Sequence, residues 1–216
     1  MKYKLAIFDL DGTLLNTIAD LSEAVNYALK LRNLPLHSLE EITKMVGHGV
    51  RNLITQALPA ELSNDTATVD AVLADFTEYY FAHIDTYTQP YPGIPELITK
   101  LHQNGILLAV ASNKFQAGTE HLIKEFFPGI PFVAVLGNRP GFPLKPDPEI
   151  VGEVLRKAGV KKEEAVMVGD SPTDMRTAVN GDIKGIAVGW GYRDMRGFEG
   201  ITVVETVEEL QKLLLP

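Results

Sequence analysis

Leu5-Ala6-Ile7-Phe8-Asp9-Leu10-Asp11-Gly12-Thr13 decides how this chain is read. A run of four apolar residues closed by a glycine turn describes a strand buried on both faces. Two aspartates stand just beyond it. From about Thr17 the pattern turns helical, with Ile18, Leu21, Val25, Ala28 and Leu29 recurring at helix spacing. Ser38 with Glu41 reads as a capping box opening a second helix, which Gly47 and Gly49 end. Val50, Leu53, Ile54 and Ala57 begin a third. Residues from about Thr66 to Ile84 make a fourth, with Val69, Val72, Leu73 and Phe76 on one face. No strand pattern lies between roughly residues 16 and 88.

The breaker cluster Gln89-Pro90-Tyr91-Pro92-Gly93 ends this helical stretch. Beyond it helix and strand alternate. Helices are expected over Ile94–Asn104, Gln116–Phe127, Pro148–Ala158, Thr173–Asn180 and Val207–Leu215. Strands are expected over Ile106–Ala111, Phe132–Leu136, Ala165–Val168, Ile183–Val188 and Ile201–Val204. Such alternation implies a mostly parallel sheet covered by helices on both faces. The expected architecture is an α/β core with an all-helical insertion after its first strand, the core from residues 1–15 and 89–216, the insertion from 16–88.

Composition narrows the function classes. The 216 residues are 45% hydrophobic, ample for a buried core, and contain no cysteine, which removes disulfides, thiolate metal sites and cysteine nucleophiles. Twenty Lys+Arg against 28 Asp+Glu give a formal charge of −8, which argues against nucleic-acid binding and against a basic membrane-docking face. No stretch approaches the roughly 20 apolar residues of a membrane helix, and the start of the chain is too short and too charged for a signal peptide. The expectation is a soluble cytoplasmic protein. The sequence fixes no oligomeric state.

Ligands of open α/β sheets bind beyond the carboxyl ends of the strands. Asp9 and Asp11 fall there, as do Ser112-Asn113 and Gly169-Asp170-Ser171, with Asp174 a helical turn later. Lys145, in Leu144-Lys145-Pro146-Asp147-Pro148, lies in a loop that the topology can bring to the same edge. Converging carboxylates repel one another unless a hard cation sits between them, and oxygen ligands without His or Cys favour Mg²⁺. A lysine and a hydroxyl beside that cation make a phosphate site. Any one of these residues alone reads as a turn former, a helix cap or a surface loop. Their joint placement is the signal.

The ordered set Asp9-x-Asp11-Gly12-Thr13, Ser112, Lys145-Pro146 and Gly169-Asp170-x-x-x-Asp174 resembles the haloacid-dehalogenase-like phosphohydrolases over essentially the whole chain. Within them it looks most like the phosphoglycolate phosphatase branch, whose Gly-x-Gly cap loop is similar to Gly47-His48-Gly49 followed by Val50 and Arg51. The resemblance implies a Rossmann-like parallel sheet, the helical insertion acting as a cap that closes over the site. It implies Asp9 as the nucleophile and Asp11 as general acid/base. Mg²⁺ would be held by the Asp9 carboxylate, the Asp11 carbonyl and the Asp170 carboxylate, with Asp174 behind them orienting a metal-bound water or Lys145. Thr13, Ser112, Asn113 and Lys145 would hold the phosphate oxygens. His48, Gly49 and Arg51 would help select the substrate from the cap, a cap arginine suiting a second carboxylate or phosphate.

The substrate expected on this resemblance is a small phosphate ester, 2-phosphoglycolate first. Pyrophosphate, a sugar phosphate or a phosphomutase reaction are alternatives on the same fold, and a non-catalytic module binding a phosphorylated ligand is a further one. An intact Asp11 weighs against the last, since a binding module has no use for an acid/base. His37, His83, His102 and His121 read as surface or packing residues, and Trp190 as packing at a strand end.

Overall fold

The computed structural model describes residues 3–196 and 200–215. β1 (Leu5–Phe8) has all four side chains buried, as expected of a strand with neighbours on both edges and helices over both faces. Its partners come from far along the chain. Leu5 is in register with Leu107 of β4 (Leu107–Phe115) on one side and with Ala165 of β6 (Ala165–Gly169) on the other, both parallel. With β5 (Phe132–Asn138), β7 (Lys184–Val188) and β8 (Thr202–Val204) they form a six-stranded sheet in the order β5-β4-β1-β6-β7-β8. Every pairing in it is parallel. Parallel neighbours need crossovers, and α5 (Ile94–Gln103), α6 (Gln116–Phe126), α7 (Glu149–Ala158), α8 (Pro172–Asn180) and α9 (Val207–Leu214) alternate with the strands to flank the sheet. The alternation expected from sequence is thus the architecture found.

Packing divides the chain into two compact units, Met1–Asn16 with Pro90–Pro216, and Thr17–Gln89. The second is helical: α1 (Ile18–Leu31), α2 (Leu39–Met45), α3 (Val50–Ala57) and α4 (Thr66–His83). α1 turns Leu21, Ala24, Val25, Ala28 and Leu29 inward, and α4 turns Val69, Val72, Phe76 and Tyr80 inward. Ser38 and Glu41 form the reciprocal capping box that their spacing suggests. Asp20 is buried in this unit, and its carboxylate accepts from the Tyr87 N–H, the Thr88 N–H and the Thr88 hydroxyl. Two two-residue strands, β2 (Leu15–Asn16) and β3 (Gln89–Pro90), lie at the points where the chain passes from one unit to the other. Among the described residues no helix is long and apolar enough to cross a membrane.

One boundary differs from expectation in a way that matters for the site. The strand expected to stop at Ala111 continues to Phe115, because pairing with β5 resumes after a register shift, Ala111 opposite Leu136 and Phe115 opposite Asn138. Ser112 and Asn113 therefore lie inside β4 rather than capping the helix that follows.

Candidate active site

The ladder between β1 and β6 runs one residue past β1, the Asp9 N–H donating to the Val168 carbonyl at 2.9 Å. Asp9 is thereby delivered at the carboxyl edge of the sheet, where its Oδ1 accepts from the Leu10 N–H at 2.7 Å. The chain then turns through Gly12 at φ +84°, a region that side chains disfavour. A Cβ there would lie 2.4 Å from Asp170 Oδ2, so this turn and Asp170 can approach as they do only with glycine at position 12. Asp170 follows the last residue of β6, and Thr13 donates its hydroxyl to Asp170 Oδ1 at 3.3 Å.

Ser171 caps α8 in a reciprocal box with Asp174, whose Oδ2 accepts from the Ser171 N–H and hydroxyl. The other oxygen of Asp174 accepts from Lys145 Nζ at 2.7 Å, and the same ammonium lies 2.9 Å from Asp9 Oδ1. Lys145, which precedes a cis peptide bond to Pro146, is 4% exposed and Asp174 is fully buried. A helix-capping carboxylate so doubles as the anchor of a buried lysine.

Carboxylate oxygens of Asp9, Asp170 and Asp174 lie within 4.8 Å of one another. Burial, Asp174 and Asp170 push Asp9 up to about 8 against the pull of Lys145. Burial and Asp174 push Asp170 up to about 7. Burial alone would draw the Lys145 ammonium down, but Asp174 and Asp9 outweigh it and hold the group above its ordinary range. Fully ionised, three carboxylates and one ammonium sum to two negative charges. An all-oxygen donor set with that surplus fits a hard divalent cation.

The profile of the haloacid dehalogenase-like hydrolases matches residues 6–188, from β1 to the last residue of β7. The chain belongs to that family. A phosphoglycolate phosphatase of Mesorhizobium japonicum is 36% identical over 99% of this chain and 98% of its own length. One of Agrobacterium fabrum is 35% identical over 88% of this chain and 82% of its own. The crystal structure of a candidate phosphoglycolate phosphatase from Lactobacillus delbrueckii subsp. bulgaricus superposes with a TM-score of 0.91 at 36% identity, covering 99% of each chain.

In this haloacid dehalogenase-like hydrolase, several expected residues have more specific surroundings than their positions foretell. Ser112 is buried and its hydroxyl accepts from the Lys114 N–H at 3.2 Å. Asn113, expected to hold phosphate, has its amide on the backbone of Lys145, donating to its carbonyl at 3.1 Å and accepting from its N–H at 2.8 Å. It presents the lysine, because a strand alternates its side chains and only one face of Ser112-Asn113-Lys114 can share a direction. Lys114 shares that face with Ser112, and its ammonium lies 3.2 Å from Asp11 Oδ1. Sequence reasoning missed Lys114. The strand running on to Phe115, had it been foreseen, would have marked it as buried.

Trp190, expected to pack at a strand end, follows β7, and its indole N–H also donates to the Thr13 carbonyl at 3.1 Å. Tyr91 was likewise missed. Tyr91 follows β3, and burial, followed by the charges of Asp170 and Asp11, pushes its phenol up. In the helical unit His48 and Arg51 are exposed, Gly49 begins α3 at φ +82°, and Arg51 is ion-paired with Asp70 of α4. His37 Nε2 lies 2.8 Å from the Ala57 carbonyl and His83 Nδ1 2.8 Å from that of Tyr79, packing roles as expected, while His102 and His121 are exposed.

Proposed function

We propose that this protein is a cytoplasmic Mg²⁺-dependent phosphomonoesterase acting on a small phosphate ester, 2-phosphoglycolate first, through an aspartyl-phosphate. The observation that carries this reading is the lysine shared between Asp9 and Asp174 inside a cluster that also contains Asp170. A phosphoryl group needs such a set of one nucleophilic carboxylate, one fixed cation and a metal-binding edge. The relatives named phosphoglycolate phosphatase, similar along nearly the full chain, support the choice of ester.

In this mechanism an Asp9 oxygen attacks phosphorus in line, forming one O–P bond as the ester O–P bond breaks. Asp11 gives its proton to the departing alkoxide, then takes one from the water that attacks the aspartyl-phosphate, so that phosphate leaves and Asp9 returns. Lys145, presented by Asn113 and anchored by Asp174, meets charge spreading over the equatorial oxygens, with Thr13 and Ser112 supplying hydroxyls. The cation would be held by the carboxylates of Asp9 and Asp170 and the carbonyl of Asp11. When bound, it offsets the repulsion between nucleophile and phosphate. The helical unit, residues 16–88, acts as the cap, and His48, Gly49 and Arg51 are its contribution to substrate choice.

The deciding experiment measures phosphate release from 2-phosphoglycolate, pyrophosphate and several sugar phosphates, with Mg²⁺, with EDTA, and with Asp9→Asn. A hundredfold lead for 2-phosphoglycolate in kcat/KM, about 2.7 kcal/mol of transition-state preference, is expected. Equal turnover across the panel would remove the substrate, and Mg²⁺-independent turnover or an active Asp9→Asn protein would remove the mechanism.

A further inference from the structure

The loop after β7, Gly189-Trp190-Gly191-Tyr192, takes no part in the chemistry above, yet it lies directly against Asp170. The Tyr192 N–H donates to Asp170 Oδ2 at 2.7 Å, while Thr13 donates to Oδ1 of the same carboxylate. Trp190 closes the circuit, its indole N–H on the Thr13 carbonyl. Asp170 thus has a donor on each oxygen, one from each of two loops, and the loops are tied to each other. Gly191 lies in the middle. A Cβ there would come 2.2 Å from Asp170 Cβ and 2.5 Å from both Asp170 Oδ2 and the Gly12 carbonyl, far inside contact distance. Position 191 is therefore glycine because a carboxylate and a neighbouring loop occupy the space.

We propose that Gly189–Tyr192 is a positioning element for the metal site: it fixes the rotamer of Asp170 so that the free lone pairs of that carboxylate stay aimed at the cation. This rests on the metal reading of the proposed function. Groups that hold a metal-binding side chain in place commonly alter affinity without touching the metal. The loop acts by backbone donation and by exclusion, so the indole N–H of Trp190 and the absence of a Cβ at 191 are essential.

The test uses the intact protein without substrate. Mn²⁺ affinity is measured by calorimetry or by the loss of free Mn²⁺ spin signal for wild type, Trp190→Phe and Gly191→Ala, alongside melting temperatures in EDTA. Trp190→Phe keeps an aromatic side chain but removes the indole N–H and is expected to weaken Mn²⁺ binding about tenfold, and Gly191→Ala up to about a hundredfold. Melting of Trp190→Phe in EDTA should stay within a few degrees of wild type, and its turnover should recover as Mg²⁺ is raised to saturation. Should Gly191→Ala fail to fold, Trp190→Phe decides alone. Wild-type affinity in Trp190→Phe overturns the proposal, as does weakened binding matched by a comparable loss of metal-free stability. A wild-type protein that binds no Mn²⁺ overturns the metal reading beneath it, and the loop's role with it.

Discussion

Replacing Lys114 with methionine keeps the apolar stem and deletes the charge. The ammonium is 3.2 Å from Asp11, with side chains only 3% and 14% exposed. At the effective dielectric appropriate to such a pair, the attraction is about 5 kcal/mol before the cost of desolvating the ammonium. Net hydrogen bonds to charged groups are worth about 1.5–3 kcal/mol, and this one contributes to holding Asp11 in one orientation. General acid–base catalysis contributes typically 10²–10⁴-fold, so an Asp11 released from this tether should lose about a hundredfold. The loss should depend on the leaving group. An alkyl ester such as 2-phosphoglycolate needs its oxygen protonated, whereas an activated aryl phosphate expels a phenolate unaided. Lys114→Met should therefore cleave 2-phosphoglycolate about a hundredfold more slowly. With p-nitrophenyl phosphate it should release one equivalent of phenolate per site at a near-normal rate and then stall, because hydrolysis of the aspartyl-phosphate still needs a base. Stopped-flow absorbance reads the burst directly. A variant within twofold of wild type on both esters, or one that loses the aryl burst as fully as the alkyl reaction, would refute the tether.

Three further outcomes are expected. Gly12→Ala forces a side chain to φ +84° and 2.4 Å from an Asp170 oxygen; it should cost at least about 1–2 kcal/mol in chemical denaturation, and an unchanged midpoint would count against the packing described. Asp20→Ala strands the donors at Tyr87 and Thr88 and should lower stability by about 1–3 kcal/mol, with faster hydrogen exchange at those two amides than elsewhere in the helical unit. In EDTA, Asp9 is pushed from 3.8 up to about 8 and Asp170 from 3.8 up to about 7. Carboxyls raised by folding bind more protons in the native state, so their contribution is complete below about pH 4 and is lost as pH climbs through 7 and 8. Metal-free stability relative to Asp9→Asn should thus fall from pH 5 to 8, and Mg²⁺ should restore it increasingly over the same range; a rise in EDTA would contradict the burial of these groups.

How much of this was legible beforehand depends on range. β1, α1 and the alternating second half announce themselves because an apolar run or a 3.6-residue period is a local property of the chain. Asp9, Asp170 and Lys145 were legible because strand ends in a parallel sheet share an edge, so topology alone gathers them. Lys114 and Asp20 were not. A lysine after Ser112-Asn113 looks like a solvated helix start until β4 is known to pair with β5 through Phe115. An aspartate in the first turn of α1 looks like a dipole-stabilising surface charge until the amides of Tyr87 and Thr88, nearly seventy residues on, are found against it. The residue type of Asn113 suits an anion, and the bonds it makes to the Lys145 backbone depend on a loop some thirty residues away.

The central place of β1 carries a consequence for how the chain is made. Its two partners begin at Leu107 and Ala165, so at ribosomal rates of about 5–20 residues per second the strand waits roughly 5–20 s for the first and longer for the second. The helical unit, contiguous in sequence, is complete within that interval. Leu5-Ala6-Ile7-Phe8, destined to be wholly buried, meanwhile trails from the ribosome with both edges open. That leaves β1 open to mispairing along both edges until the sheet closes, and makes Asp9, one residue beyond it, among the last residues to find its surroundings.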